Sequence, residues 1–283
     1  MVFANQLKTV VLLSALVGFF MWIGYLLGGY SGLIIAFIIS MIFNFFTYWY
    51  SDKIVLKMYG AKKVSKNSNL YHIVRELSHR AKLPVPKVYI IPIETPNAFA
   101  TGRNYKNSAV AVTEGLLSIL NENELKGVIA HELSHIKNRD TLIQTFVVTV
   151  ASAISMIANI LQWALIFGIG RDEDDGLPSL ISSLLIIILA PIIAAIIQFA
   201  ISRSREYMAD EGSARITHNP DFLISALVKL EKGVKVHPFT DPTKSQTSSL
   251  FIINPFSGRS LFKLFSTHPS TKDRIKRLKK LKL

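Results

Sequence analysis

Apolar residues in this chain are gathered into long runs, and the runs come in two pairs. Residues 10–28 carry no charge and reach the length of about 20 residues that a bilayer-crossing helix needs. Gly28, Gly29, Tyr30, Ser31 and Gly32 then read as a turn, and a second apolar run over 33–50 follows at once. A cleaved leader would differ, with an apolar stretch of about 7–15 residues, a small-residue cleavage site and soluble sequence behind it. Tyr48, Trp49 and Tyr50 close the second run like an aromatic belt at a membrane interface. This first pair predicts a transmembrane hairpin. The second pair spans 142–169 and 177–200, again uncharged, with the short acidic stretch Arg171, Asp172, Glu173, Asp174, Asp175, Gly176 between them. Pro191 is tolerable in such a helix when neighbours satisfy the freed carbonyl. A second membrane hairpin is expected there.

Between the pairs the pattern shortens. Residues 71–81 repeat their apolar positions at helical spacing, 84–91 alternate as a strand, and 109–112 form a second short strand candidate. Helices are predicted over 114–120 and 124–137, separated by the polar Asn121, Glu122 and Asn123, which cap the second of them.

Charge adds a direction. The net charge of +13 is concentrated beside Tyr50, over 53–66, and in the tail 272–283. Neither stretch interleaves aromatics as a single-strand binding groove does, so nucleic acid is excluded as a partner and anionic lipid headgroups are expected instead. Basic segments also follow Ala200, while the short connecting loops are uncharged or acidic. The positive-inside rule therefore places the soluble portions and both termini in the cytoplasm of a multi-pass cell-membrane protein. With no cysteine, disulfides and thiolate metal sites are excluded, and any transition metal must be held by His, Asp and Glu.

Such a set exists. His131, Glu132, Leu133, Ser134 and His135 form an H-E-x-x-H pattern inside a predicted helix. Residues four apart share a helix face, so both imidazoles can meet one ion while Glu132 holds a water and accepts its proton. A catalytic zinc takes a third protein ligand and keeps one position open. The candidates are Glu206 and Asp210, again four apart: one can ligate while the other hydrogen-bonds a ligand imidazole and fixes its tautomer. The chain also contains two decoys. Arg75, Glu76, Leu77, Ser78 and His79 repeat the pattern with a guanidinium in place of the first imidazole, which cannot ligate a metal. Asn219, Pro220 and Asp221 resemble a metal-binding Asp motif, but they are followed by Phe222 at the start of a helix and read as an ordinary cap.

Taken together, 131–135, Asp140, the run 202–210, and Thr267, His268, Pro269 with Arg274 resemble the HtpX-like membrane zinc metalloproteases, relatives of the CAAX prenyl proteases. The likeness spans nearly the whole chain. It implies one Zn2+ per chain, with Glu206 as third ligand and Asp210 and Asp140 behind the ligands. It further implies that His268 and Arg274 lie near the metal and stabilise an oxyanion. Asn97, Ala98, Phe99 and Ala100 resemble the family's segment preceding the substrate-binding edge strand, whose backbone would pair with an extended peptide.

The expected fold is mainly α with a small β-sheet: a zincin-type, gluzincin-like catalytic domain fused to a four-helix membrane region. Its expected parts are a hairpin over 1–50, a first catalytic part over 51–140, a second hairpin over 141–200, and a second catalytic part over 201–283. The expected activity is zinc-dependent endopeptidase cleavage of misfolded or damaged membrane proteins, as implied by the resemblance, with protein or peptide segments as partners. A narrow prenyl-protein processing protease and a membrane scaffold with a structural metal are the competing readings. Glu132 and the open fourth position argue against the scaffold.

Overall fold

A computed structural model describes residues 2–151, 203–239, 250–253 and 269–281. The first apolar pair forms α1, Val2–Met58, which breaks at Gly28 and Gly29. Gly29 has φ of 57° and ψ of −139°, a conformation that glycine adopts without steric cost. Beyond the break the chain turns back. Gly24 and Gly32 then approach so closely that a Cβ on either would strike the other's carbonyl oxygen. The Phe20 and Phe43 rings meet edge to face at 6.3 Å.

Among the described residues, one helix, Gly28–Met58, is long and apolar enough to cross a membrane, and Leu13–Trp22 is a shorter apolar helix. Ile34, Ile35, Ile38, Ile39, Ile42, Phe45 and Phe46 all stand exposed on Gly28–Met58, an apolar surface that no other described segment covers. Of the second pair only α5, Thr141–Ala151, is described. The remainder of 142–200, and with it most of the second pair of the expected four-helix membrane region, lies outside the described residues.

The mainly helical fold with one small sheet is as expected. After α1 come β1 (Lys62–Lys63), α2 (Asn69–Ala81), β2 (Lys87–Ile91), β3 (Ala98–Asn104), β4 (Asn107–Thr113), α3 (Glu114–Ile119) and α4 (Glu122–Asn138). Beyond α5 stand α6 (Arg203–Thr217), α7 (Pro220–Val236) and α8 (Thr271–Leu278). The sheet order is β1-β2-β4-β3, with β2 and β4 parallel and both outer pairs antiparallel. β3 is therefore an edge strand. The alternation of 84–91 predicted β2, but no periodicity marked β3. Its first five residues are buried, so it lacks the half-polar alternation of a one-sided strand.

α4 is the central element. Leu125, Val128, Ile129, Leu133 and Ile136 are buried against α2, the sheet, α6 and α7. Its start is locked by a capping box: Asn121 accepts from the Glu124 amide, and Glu124 accepts from the Asn121 amide, both at 2.9 Å. Such a cap contributes about 1 kcal/mol. The Glu124 carboxylate also takes Ser225 at 2.6 Å and Lys229 at 2.7 Å, which pins α7 to the same end. These partners outweigh the burial of Glu124 and hold its carboxyl below the usual range. Close packing needs small residues here. A Cβ on Gly127 would lie 2.6 Å from the Leu223 nitrogen, and one on Gly212 would collide with Ser134. Asn219 caps α7 with Pro220 in the first turn, as its sequence predicted.

Candidate metal centre

α4 presents His131 and His135 on one face, and α6 lies across that face and delivers Glu206. All three are buried, and one ligand atom from each lies within 4.8 Å of the other two. The Nε2 atoms of His131 and His135 are 3.2 Å apart, and Glu206 oxygens stand 3.7 Å and 3.6 Å from them. A tetrahedral ion with bonds of about 2.0–2.1 Å spaces its ligands about 3.3–3.4 Å apart. Two imidazoles and a carboxylate in this triangle therefore fit zinc by size and by donor type.

Each imidazole is oriented from behind. The Asp210 carboxylate lies 3.0 Å from His131 Nδ1, and the Asp140 carboxylate lies 3.3 Å from His135 Nδ1. The Asp140 amide also donates to the His135 carbonyl at 3.0 Å, so the chain turn after α4 brings this acid back under the helix. Both acids have an arginine behind them. Arg274 donates from Nε and Nη2 to Asp210 at 2.9 Å and 2.6 Å, a bidentate fork. Arg205 sits 3.9 Å from Asp140. Its place behind a ligand was not legible in sequence, where Arg203 and Arg205 read equally well as surface partners of the acids on their own helix. The available signal was the four-residue spacing that links Arg205 to Ala209 and Ser213, small residues on the face that α6 buries once per turn.

Glu132 lies beside the triangle. Burial raises its carboxyl above the usual range; His131 and His135 oppose that, Glu206 adds to it, and the Ala100 amide of β3 donates to it. The general-base candidate thus touches the edge strand. Burial alone would lower His135, but Glu206, Asp140 and Glu132 outweigh it and hold the imidazole at about 9 in the metal-free protein. Asp210 is kept low because Arg274 and His131 outweigh its burial. Arg205 is pushed down by burial, against the pull of Asp140 and Glu206.

The other expected site residues fall out unevenly. Asn97 lies just before β3 and spends its side chain on Ile253. Ala98 and Ala100 are buried on the strand, and the Phe99 ring packs between Tyr59 and Phe251. Arg274 commits Nε and Nη2 to Asp210 and Nη1 to the Ile252 carbonyl, at 2.7 Å. His268 lies outside the described residues.

This geometry agrees with what the chain is similar to. The pattern of Peptidase family M48 matches residues 64–282. A protease HtpX homolog of Thermococcus kodakarensis is 54% identical over 278 residues, covering 97% of this chain and 95% of its own. A protease HtpX of Legionella pneumophila is 50% identical over 276 residues, covering 97% and 98%. Among solved structures, Ste24p of S. mikatae shares the fold with a TM-score of 0.51 at 17% identity, over 98% of this chain and 66% of that one. The resemblance read from the motifs is borne out: the chain is a metalloprotease and belongs to peptidase family M48.

Proposed function

We propose that the chain is a membrane-anchored zinc endopeptidase acting on misfolded or damaged membrane proteins at the cytoplasmic face. His131, His135 and Glu206 hold the ion in this reading. A zinc ion there supplies Lewis acidity, which acidifies water and polarises a carbonyl. Glu132 takes the proton of the attacking water and returns it to the leaving amine, a part suited to a carboxylate whose proton affinity burial has raised. Asp210 and Asp140 orient the two imidazoles. Arg274 acts through Asp210, which it holds in a bidentate fork, and its Nη2 also stands 3.4 Å from the His131 ring. The oxyanion role implied by the resemblance then rests with His268.

The observation that carries this reading is the buried triangle with Glu132 beside it, next to the outer edge of β3. A membrane location is supported by the apolar surface of Gly28–Met58. The second hairpin over 141–200 and the placement of both termini in the cytoplasm extend the reading from charge asymmetry. The metal then sits just above the bilayer, where the ligand helices leave it. Cleavage of an unfolded protein such as casein by the detergent-purified, zinc-loaded chain tests the chemistry. The parent should cleave and Glu132→Ala should not, while both retain one zinc. Equal cleavage by both would remove Glu132 from its role. A tag inserted between Arg171 and Gly176 should be shielded from protease in sealed inside-out vesicles, whose cytoplasmic face is turned outward, and an accessible tag would overturn the orientation.

A further inference from the structure

The edge of β3 is already partly filled by the chain itself. In an antiparallel pair, alternate residues point their backbone groups toward and away from the neighbouring strand. The Asn97 carbonyl accepts from the Thr113 amide at 2.9 Å, and the Asn97 amide donates to Thr113 Oγ1 at 2.8 Å, so Asn97 faces β4. Ala98 and Ala100 therefore face outward, onto the side where a peptide would add. At Ala98 that side is taken: the Ile252 amide donates to the Ala98 carbonyl at 3.2 Å. The Ala98 amide is satisfied by the Asn97 side chain at 3.1 Å.

Residues 250–253 are held firmly in this position. The Asn97 amide group donates to the Ile253 carbonyl at 2.8 Å, and Arg274 Nη1 donates to the Ile252 carbonyl at 2.7 Å. Phe251 is wedged edge to face against Tyr59 and Phe99, at 5.4 Å and 5.6 Å, and Leu250, Phe251 and Ile252 are all buried. The next outward position differs. The Ala100 amide is held by Glu132, and further along the strand the Gly102 carbonyl accepts from the Thr141 hydroxyl, at 2.9 Å. A hydroxyl can rotate away, whereas a backbone amide anchored on three sides cannot.

We propose that residues 250–253 form a fixed stop on the substrate edge. A peptide then pairs with β3 only from Ala100 toward Gly102, and the chain's own Ile252 sets how many substrate residues are bound on one side of the scissile bond. One strand repeat separates Ala98 from Ala100, so the closed side accommodates about two residues. The stop is a specificity element for the reaction proposed above and rests on that reading. It also gives Asn97 a different task from direct substrate contact: it holds the stop.

Two nested peptide series, lengthened separately on either side of one cleaved bond, test the idea on the full, zinc-loaded chain. On the open side, each added pairing residue should raise kcat/KM by about 2- to 10-fold, the worth of a backbone hydrogen bond. On the closed side, kcat/KM should level off after about two residues. Ile252→Pro, which removes the amide donor, should let the closed-side series keep rising, and Asn97→Ala should do the same more weakly if the proline variant fails to fold. Equal gains on both sides in the parent would overturn the proposal, as would one-sided levelling that neither variant changes. Binding of the same series to Glu132→Ala, followed by fluorescence anisotropy, separates the stop from the chemistry. The same asymmetry without any cleavage by the parent would refute the catalytic reading and uphold the stop. No binding of any peptide would refute the stop.

Discussion

Two helices of this protein carry the same four residues, Glu-Leu-Ser-His, and only one of them builds a site. In α2 these are 76–79, and in α4 they are 132–135. Locally the two are alike. Leu77 and Leu133 are both fully buried, and Ser78 and Ser134 both donate back to the carbonyl four residues earlier, at 2.6 Å and 2.8 Å. Both helices end one turn later on a left-handed residue, Lys82 or Arg139. The difference lies on the opposite face. Around α2 that face meets solvent, where Glu76 pairs with Arg80 at 2.6 Å and His79 is exposed. Around α4 it is roofed by β3 and α6, and the same glutamate and histidine become buried groups with perturbed proton affinities. The motif supplies donors, and the roof turns them into chemistry.

The comparison can be broken in four ways. The largest expected effect is Glu132→Gln, which should lower kcat by about 10²- to 10⁴-fold, the usual contribution of a general base. Glu76→Gln should leave kcat unchanged, and a comparable loss there would end the contrast. Next comes the arginine behind each helix. Arg274→Ala strands the buried Asp210 charge and should cost about 3–5 kcal/mol of unfolding free energy, read by denaturant titration. Arg80→Ala removes an exposed i,i+4 pair and should cost only about 0.3–0.5 kcal/mol.

The third test is a proton count. His135 is held at about 9 in the metal-free protein, against an ordinary 6.5. Its protonated form therefore adds stability that is complete below pH 6.5 and is lost as pH rises through about 9. A zinc ligand must be neutral, so zinc uptake at pH 7.5 should release close to one proton from this residue. Calorimetry in buffers of different ionisation enthalpy reads that number, and zero release would contradict it. The smallest expected effect is none at all. Arg75→His completes H-E-x-x-H in α2, yet bound zinc should stay at one per chain because no described segment roofs that face and Arg75 and His79 stand exposed.

Much of the site was legible because its parts are local. Helical spacing gave the shared face of His131 and His135, and the same spacing linked Glu206 to Asp210. Asn121 announced the start of α4. What could not be read were contacts between distant segments and elements buried on both sides. β3 has no alternation because its early residues pack on both faces. Ile252 meets Ala98 across more than 150 positions, and nothing in either neighbourhood signals the pairing. Arg205 and Arg203 are the same residue type two positions apart; standing about 200° from each other around α6, one turns inward and the other is exposed.

The join between α1 and the sheet sets a working height. The apolar helix Gly28–Met58 has 31 residues and, at 1.5 Å per residue, is about 46 Å long, against a hydrocarbon core of about 30 Å. Arg103 of β3 stacks on Trp49 at 4.0 Å, so the edge strand is clamped to the helix at the level of its aromatic belt. The cutting edge is in effect a shelf bolted to a post. If the helix spans a bilayer as proposed, chain threaded deep in lipid would pass below this shelf and chain far out in solvent above it, and segments just emerging from the bilayer would be the ones within reach.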